Sequence, residues 1–179
     1  VGESFKYDQV SYVDYAEGIY VGYKWYETAD AQDYWDKYYN LHGRGYQAVV
    51  QYPFGYGLSY TPFDWKVVNA PGKREKITAD GSYKITVEVT NTGERAGKEV
   101  VQLYVRDMIS SVATPVRQLK AFEKVPVRAG EKVTVRLEVP FSELMFTNER
   151  MERVLEPGEF EVQVGSSSDR IHFREKIRI

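Results

Sequence analysis

The stretch that most constrains this chain is residues 83–90, in which Tyr83, Ile85, Val87 and Val89 alternate with Lys84, Thr86, Glu88 and Thr90. A period of two places every apolar side chain on one face of an extended strand, whereas a helix would scatter them around its axis. The alternation returns at Val133, Val135, Leu137 and Val139. Strands of this kind bury one face and leave the other to water.

The neighbouring segments follow the same grammar. Residues 100–105 are apolar on both faces, as expected of an interior strand covered on two sides. Leu119, Ala121 and Phe122 open a strand that runs to Val127. Phe160, Val162 and Val164 form another, and Ile171, Phe173, Ile177 and Ile179 the last. Asn91 to Gly93, Ala129 to Glu131, Pro157 with Gly158, and Ser166 to Asp169 supply turns. Residues 106–118 read as a loop, and Phe141, Leu144, Met145 and Phe146 as an apolar corner. About seven short strands over roughly 110 residues, with turn signals about every 8–12, predict a mainly β fold: a seven-stranded immunoglobulin-like sandwich. The absence of cysteine makes it the fibronectin type III variety.

Upstream the pattern changes at Tyr52, Pro53, Phe54, Gly55, Tyr56, Gly57, Leu58, Ser59, Tyr60, Thr61, Pro62 and Phe63. Proline and glycine bar a helix here, so the segment reads as a packed connector with Phe54, Tyr56, Leu58 and Tyr60 buried against the sandwich. Before it, Ile19, Val21, Tyr23 and Trp25 alternate with Tyr20, Gly22, Lys24 and Tyr26, which predicts a strand, with Gly18 and Gly22 allowing close backbone packing. Residues 48–51 are its expected partner. Such a pair is too small to stand alone and needs another domain to pack on. Residues 28–47 lack a clean period and read as a long surface loop, with a short helix over 31–39 as the local option. The expected division is residues 1–60, a partial α/β-domain segment with its linker, and residues 61–179, the sandwich.

Composition narrows the function classes. The chain is 42% hydrophobic and 28% charged, with no apolar run near the roughly 20 residues of a membrane helix. Its net charge is −2 and its 24 Lys and Arg are scattered, so neither nucleic acid nor membrane is an expected partner. With no cysteine and only His42 and His172, neither a metal site nor a Ser/His/Asp triad has material, and no cofactor is expected. Opening on Val1 without methionine or a basic leader implies missing upstream sequence. The compartment stays open between bacterial cytoplasm and secretion.

Residues 15–26 (YAEGIYVGYKWY), 52–63 (YPFGYGLSYTPF), 89–106 (VTNTGERAGKEVVQLYVR), 115–124 (PVRQLKAFEK) and 156–167 (EPGEFEVQVGSS) resemble, in order, the C-terminal region of glycoside hydrolase family 3. The resemblance covers nearly the whole chain and is weakest over 28–47. It implies the end of an α/β sandwich domain followed by a fibronectin type III-like domain, within a retaining β-glucosidase that hydrolyses terminal β-linked glucose. Two carboxylates about 5–5.5 Å apart do that chemistry. In the family both precede the blocks present here, so no catalytic residue is assigned, Glu17 included, and the chain alone is expected to be inactive. The implied partners are the barrel and α/β sandwich domains of the same enzyme. Trp35, Tyr38, Tyr39 and Arg44 are the candidates for a loop edging the sugar site. The alternative is a free-standing carbohydrate-binding or adhesion module using the same exposed rings.

Overall fold

A computed structural model describes residues 14–71 and 80–179. In chain order its elements are helix α1 (Tyr23–Asp30), the two-residue strands β1 (Tyr39–Asn40) and β2 (Gly43–Arg44), and the short helix α2 (Tyr46–Val49). The long strands follow: β3 (Phe63–Asn69), β4 (Ser82–Asn91), β5 (Gly97–Asp107), β6 (Gln118–Val127) and β7 (Lys132–Pro140). A 3-10 turn (Phe141–Leu144) leads to the small hairpin β8 (Phe146–Thr147) and β9 (Arg153–Val154), then to β10 (Glu159–Gly165) and β11 (Ile171–Arg178). Among the described residues no helix is long and apolar enough to cross a membrane.

The seven long strands form two antiparallel sheets, ordered β3-β4-β7 and β11-β10-β5-β6. The alternation in β4 and β7 does what its period requires. Ile85 lies opposite Leu137 and Val87 opposite Val135, all turned inward, while Lys84 and Arg136 face water. From the other sheet, Val101 and Leu103 of β5, Val125 and Val127 of β6, and Phe160, Val162 and Val164 of β10 meet them. Each such side chain contributes about 1.5–3 kcal/mol on burial. Among the described residues the buried core cluster comprises 17, all between Tyr83 and Ile177. None of the described residues before β3 belongs to this cluster, so that segment attaches some other way.

One corner is closed by a polar side chain. Asn91, fully buried at the end of β4, donates to the carbonyls of Arg95 (2.7 Å) and Val127 (3.1 Å) and accepts from Thr61 Oγ1 (2.6 Å) and Gly93 N (3.0 Å). Every lone pair and proton of its amide is used, which is what permits its burial. It ties the start of β3 to the ends of β4 and β6.

Three upstream expectations are corrected. The alternating residues 19–26 do not form a strand. Gly18 and Gly22 take positive φ (54° and 61°), and with open space around both they turn the chain rather than let backbones approach. Helix α1 starts immediately after Gly22. Residues 48–51 likewise pair with nothing; Tyr46 to Val49 form α2. Residues 31–37 are turns rather than a helix, and Tyr39 opens β1.

Candidate functional site

Helix α1 carries few apolar residues inward; its buried positions are Glu27, Thr28 and Ala29. They meet the outer face of the β11-β10-β5-β6 sheet, where the alternation of β5 presents Gln102 and Tyr104 opposite to the core-facing Val101, Leu103 and Val105. Both are buried, at 3% and 0% exposure. This is why residues 100–105 look like an interior strand: one face meets the core, the other meets the extension.

The junction is built on a buried ion pair. Arg117 Nη1 donates to Glu27 Oε2 at 2.7 Å, with the two side chains only 12% and 6% exposed. Glu27 Oε1 accepts from Tyr46 Oη (2.9 Å) and from Ser168 Oγ (2.5 Å). Arg117 Nε donates to Gln163 Oε1 (2.7 Å), and Nη1 also reaches the Ser168 carbonyl. A buried pair holds only when its other polar atoms find partners, and here Glu27 Oε1 and Arg117 Nε and Nη1 all do. Burial first, then the Glu27 charge, pushes the Tyr46 hydroxyl far above its ordinary range, so it stays protonated and donating. Two further bonds flank the pair: Val116 N to Thr28 Oγ1 (3.0 Å) and Leu119 N to Tyr23 Oη (2.8 Å). Sequence reading passed over Glu27 and Arg117, since a lone carboxylate and a lone guanidinium 90 positions apart carry no local signal.

The connector docks by its backbone. Gln102 Nε2 donates to the Gly55 carbonyl (3.2 Å), and Ser168 N donates to that of Phe54 (2.8 Å). Gly55 has φ 78°, and a Cβ there would sit 2.1 Å from Gln102 Oε1, so only glycine fits. The expectation that its rings are buried is overturned: Phe54 and Tyr56 are 42% and 46% exposed, and Leu58 and Tyr60 are 87% and 93% exposed. Phe54 covers one flank of Tyr23 in a stack at 4.2 Å, and Tyr56 leans on Tyr52 at 5.1 Å. Main-chain groups hold the connector to the sheet, with most of its rings left outside.

The sequence-proposed sugar-loop residues gather beside α1. Trp35 is buried at 7% exposure, donates Nε1 to the Tyr26 carbonyl (2.9 Å) and packs against Trp25, Tyr26, Tyr34 and Tyr38. Tyr38 is partly open at 40%, and Lys37 Nζ lies 4.3 Å above the Tyr34 ring and 5.4 Å from that of Tyr38. Tyr39 and Arg44 face each other across the β1-β2 hairpin, Tyr39 at 84% exposure and Arg44 with its Nε on the Asp36 carbonyl (3.2 Å). Glu17 is exposed in a turn. Among the described residues no group of three or more His, Cys, Asp or Glu could hold a metal ion.

Fold and junction together define a class: a seven-stranded fibronectin type III-like sandwich with an upstream extension clamped to its outer face. The family model for the fibronectin type III-like domain matches residues 99–168. Thermostable beta-glucosidase B of Acetivibrio thermocellus is 35% identical over 93% of this chain and 20% of its own length. The periplasmic beta-glucosidase of Salmonella typhimurium is 43% identical over 67% of the chain and 15% of its own. The crystal structure of Bifidobacterium adolescentis GH3 beta-glucosidase superimposes with a TM-score of 0.75 at 33% identity, covering 93% of this chain and 22% of that one. The chain thus spans about a fifth or less of the length of these relatives. It belongs to glycoside hydrolase family 3 and corresponds to the C-terminal region of its β-glucosidases.

Proposed function

We propose that this chain is the C-terminal structural portion of a retaining β-glucosidase acting on terminal β-linked glucose. In this reading residues 1–60 end an α/β sandwich domain and residues 61–179 form the fibronectin type III-like domain that braces it against a barrel. The observation that carries the reading is the Glu27–Arg117 junction, which fixes the end of one unit to the sheet of the next through buried polar contacts. Retaining hydrolysis needs a nucleophilic carboxylate and a second that serves as acid and then base. Glu27, the buried carboxylate at the junction, is held by Arg117, Tyr46 and Ser168 and is only 6% exposed, which ties it to the junction rather than to a substrate. Both catalytic carboxylates accordingly belong to the partner domains. Tyr38, Tyr39 and Arg44 are the exposed members of the loop that would edge the sugar site, with Trp35 as the support beneath them.

The reading is tested by the activity of the purified chain on an aryl β-glucoside and by the gene sequence upstream of Val1. Turnover no higher than buffer, and an upstream reading frame encoding a barrel and an α/β domain, are expected. Enzyme-like turnover, or a reading frame that closes without those domains, would overturn it.

A further inference from the structure

On the outer face of the β11-β10-β5-β6 sheet one large ring is left open. Phe122 of β6 lies directly opposite Gln102 of β5, and so on the same face, yet it is 65% exposed. The solvent side of an antiparallel sheet ordinarily carries polar residues at such a position. Gln102 is the residue that holds the Gly55 carbonyl, so Phe122 borders the connector. Along the connector follow Phe54 stacked on Tyr23, the Tyr52–Tyr56 pair, and then Leu58 and Tyr60.

Three observations set this band apart from scattered surface hydrophobics. Tyr52, Phe54, Tyr56, Leu58, Tyr60 and Phe122 together expose about 800 Å², taking about 200 Å² for each fully open side chain. The largest apolar patch of a typical monomer is about 300–600 Å². Residues 52–63 carry no charge, and Gly57 to Tyr60 make no main-chain hydrogen bond among the described residues, so neither ion pairs nor a ladder ties the rings to the sandwich. The band also begins where the buried junction ends: Tyr23, whose hydroxyl accepts from Leu119 N, carries Phe54 on its open flank.

We infer that this band is an interdomain seat, covered by an uncharged surface on the body of the α/β domain whose end is residues 1–60. The inference rests on the function proposed above and adds to it the surface and its occupant. Continuity with the Glu27–Arg117 junction favours that occupant, since a domain leading into α1 is already held beside the band. The chain spans a fifth or less of the length of its relatives, which leaves ample further chain to cover it. The sandwich is then gripped twice: by buried polar contacts to the extension, and by apolar contact of Phe122 and the connector rings with the domain body. Tyrosine hydroxyls at 52, 56 and 60 supply polar contacts where the rings meet water.

The test is hydroxyl-radical footprinting of the 179-residue chain and of the intact enzyme expressed from its gene. Oxidation follows accessible area, so Leu58 and Tyr60, at 87% and 93% exposure, have about tenfold to lose on reaching core-like burial. Protection approaching that is expected at Leu58, Tyr60 and Phe122 in the intact enzyme, with Val68, exposed on the other sheet, unchanged. Phe122→Asp should leave the urea midpoint of the 179-residue chain in place, because the ring is open there, and should restore most of the oxidation of Leu58 and Tyr60 in the intact enzyme. Equal oxidation in the two proteins, or protection indifferent to Phe122→Asp, overturns the inference and leaves the proposed function standing. A gene without the upstream domains overturns both. Protection that grows with concentration in the 179-residue chain alone assigns the band to a second copy and overturns the inference as well.

Discussion

Arg117→Ala removes one half of a buried ion pair and leaves the Glu27 carboxylate with only two hydroxyl donors, Tyr46 and Ser168. Stranding one member of such a pair costs about 3–5 kcal/mol, because the remaining charge keeps its desolvation penalty. The core does not absorb that cost, since all 17 residues of its buried cluster lie in the sandwich. It falls on the equilibrium between docked and undocked extension, as a local opening. Native-state hydrogen exchange reads this directly. Amides of α1, together with Val116 N and Leu119 N, whose acceptors are Thr28 and Tyr23, should lose about two to four orders of magnitude in protection. Protection in β4 and β7 should be unchanged. The double variant Glu27→Met with Arg117→Met, which removes both charges and keeps apolar volume, should dock better than Arg117→Ala. A loss below about fivefold, as for a surface pair, would refute the claim that this junction holds the extension. An equal loss in β4 and β7 would refute its separateness from the core.

Other perturbations reach different levels of the structure. Asn91→Ala strands the Thr61 hydroxyl and the Val127 carbonyl, and should lower sandwich stability by at least about 2 kcal/mol in urea unfolding. Gly165→Ala would put a Cβ 2.2 Å from the Arg170 carbonyl oxygen; backbone must shift, costing about 1–3 kcal/mol by the same assay. His172 stacks on Trp65 at 4.4 Å, and burial, then Arg170, lowers its pKa from 6.5. Because the unfolded chain binds that proton more readily, the contribution is intact above pH 6.5 and is lost as pH falls through the lower folded value. Urea midpoints should therefore drop on acidification below that point, and His172→Gln should flatten the drop.

What could be read in the sequence was whatever repeats with a period. In β4 and β7 one face is core and the other water, so burial writes itself into alternation, and the two-sided cover of β5 shows as a continuous apolar run. The extension escaped because α1 buries Glu27, Thr28 and Ala29, residues no hydrophobic comb would select. The alternation over 19–26 imitated a strand until two glycines of positive φ turned it. In the connector, aromatic content argued for buried rings, yet carbonyls of Phe54 and Gly55 made the attachment, and its one trace in residue type is the glycine at 55.

The junction also orders events in time. Glu27 accepts from Arg117 across 90 positions and from Ser168 across 141. A ribosome adding about 5–20 residues per second delivers Ser168 several seconds after Glu27 has emerged. Throughout that interval the carboxylate stays hydrated and α1 lacks its tertiary support, being far too short to persist unaided. Vectorial synthesis thus makes the earliest of these elements the last to settle, once the β10-β11 hairpin closes the site that receives it.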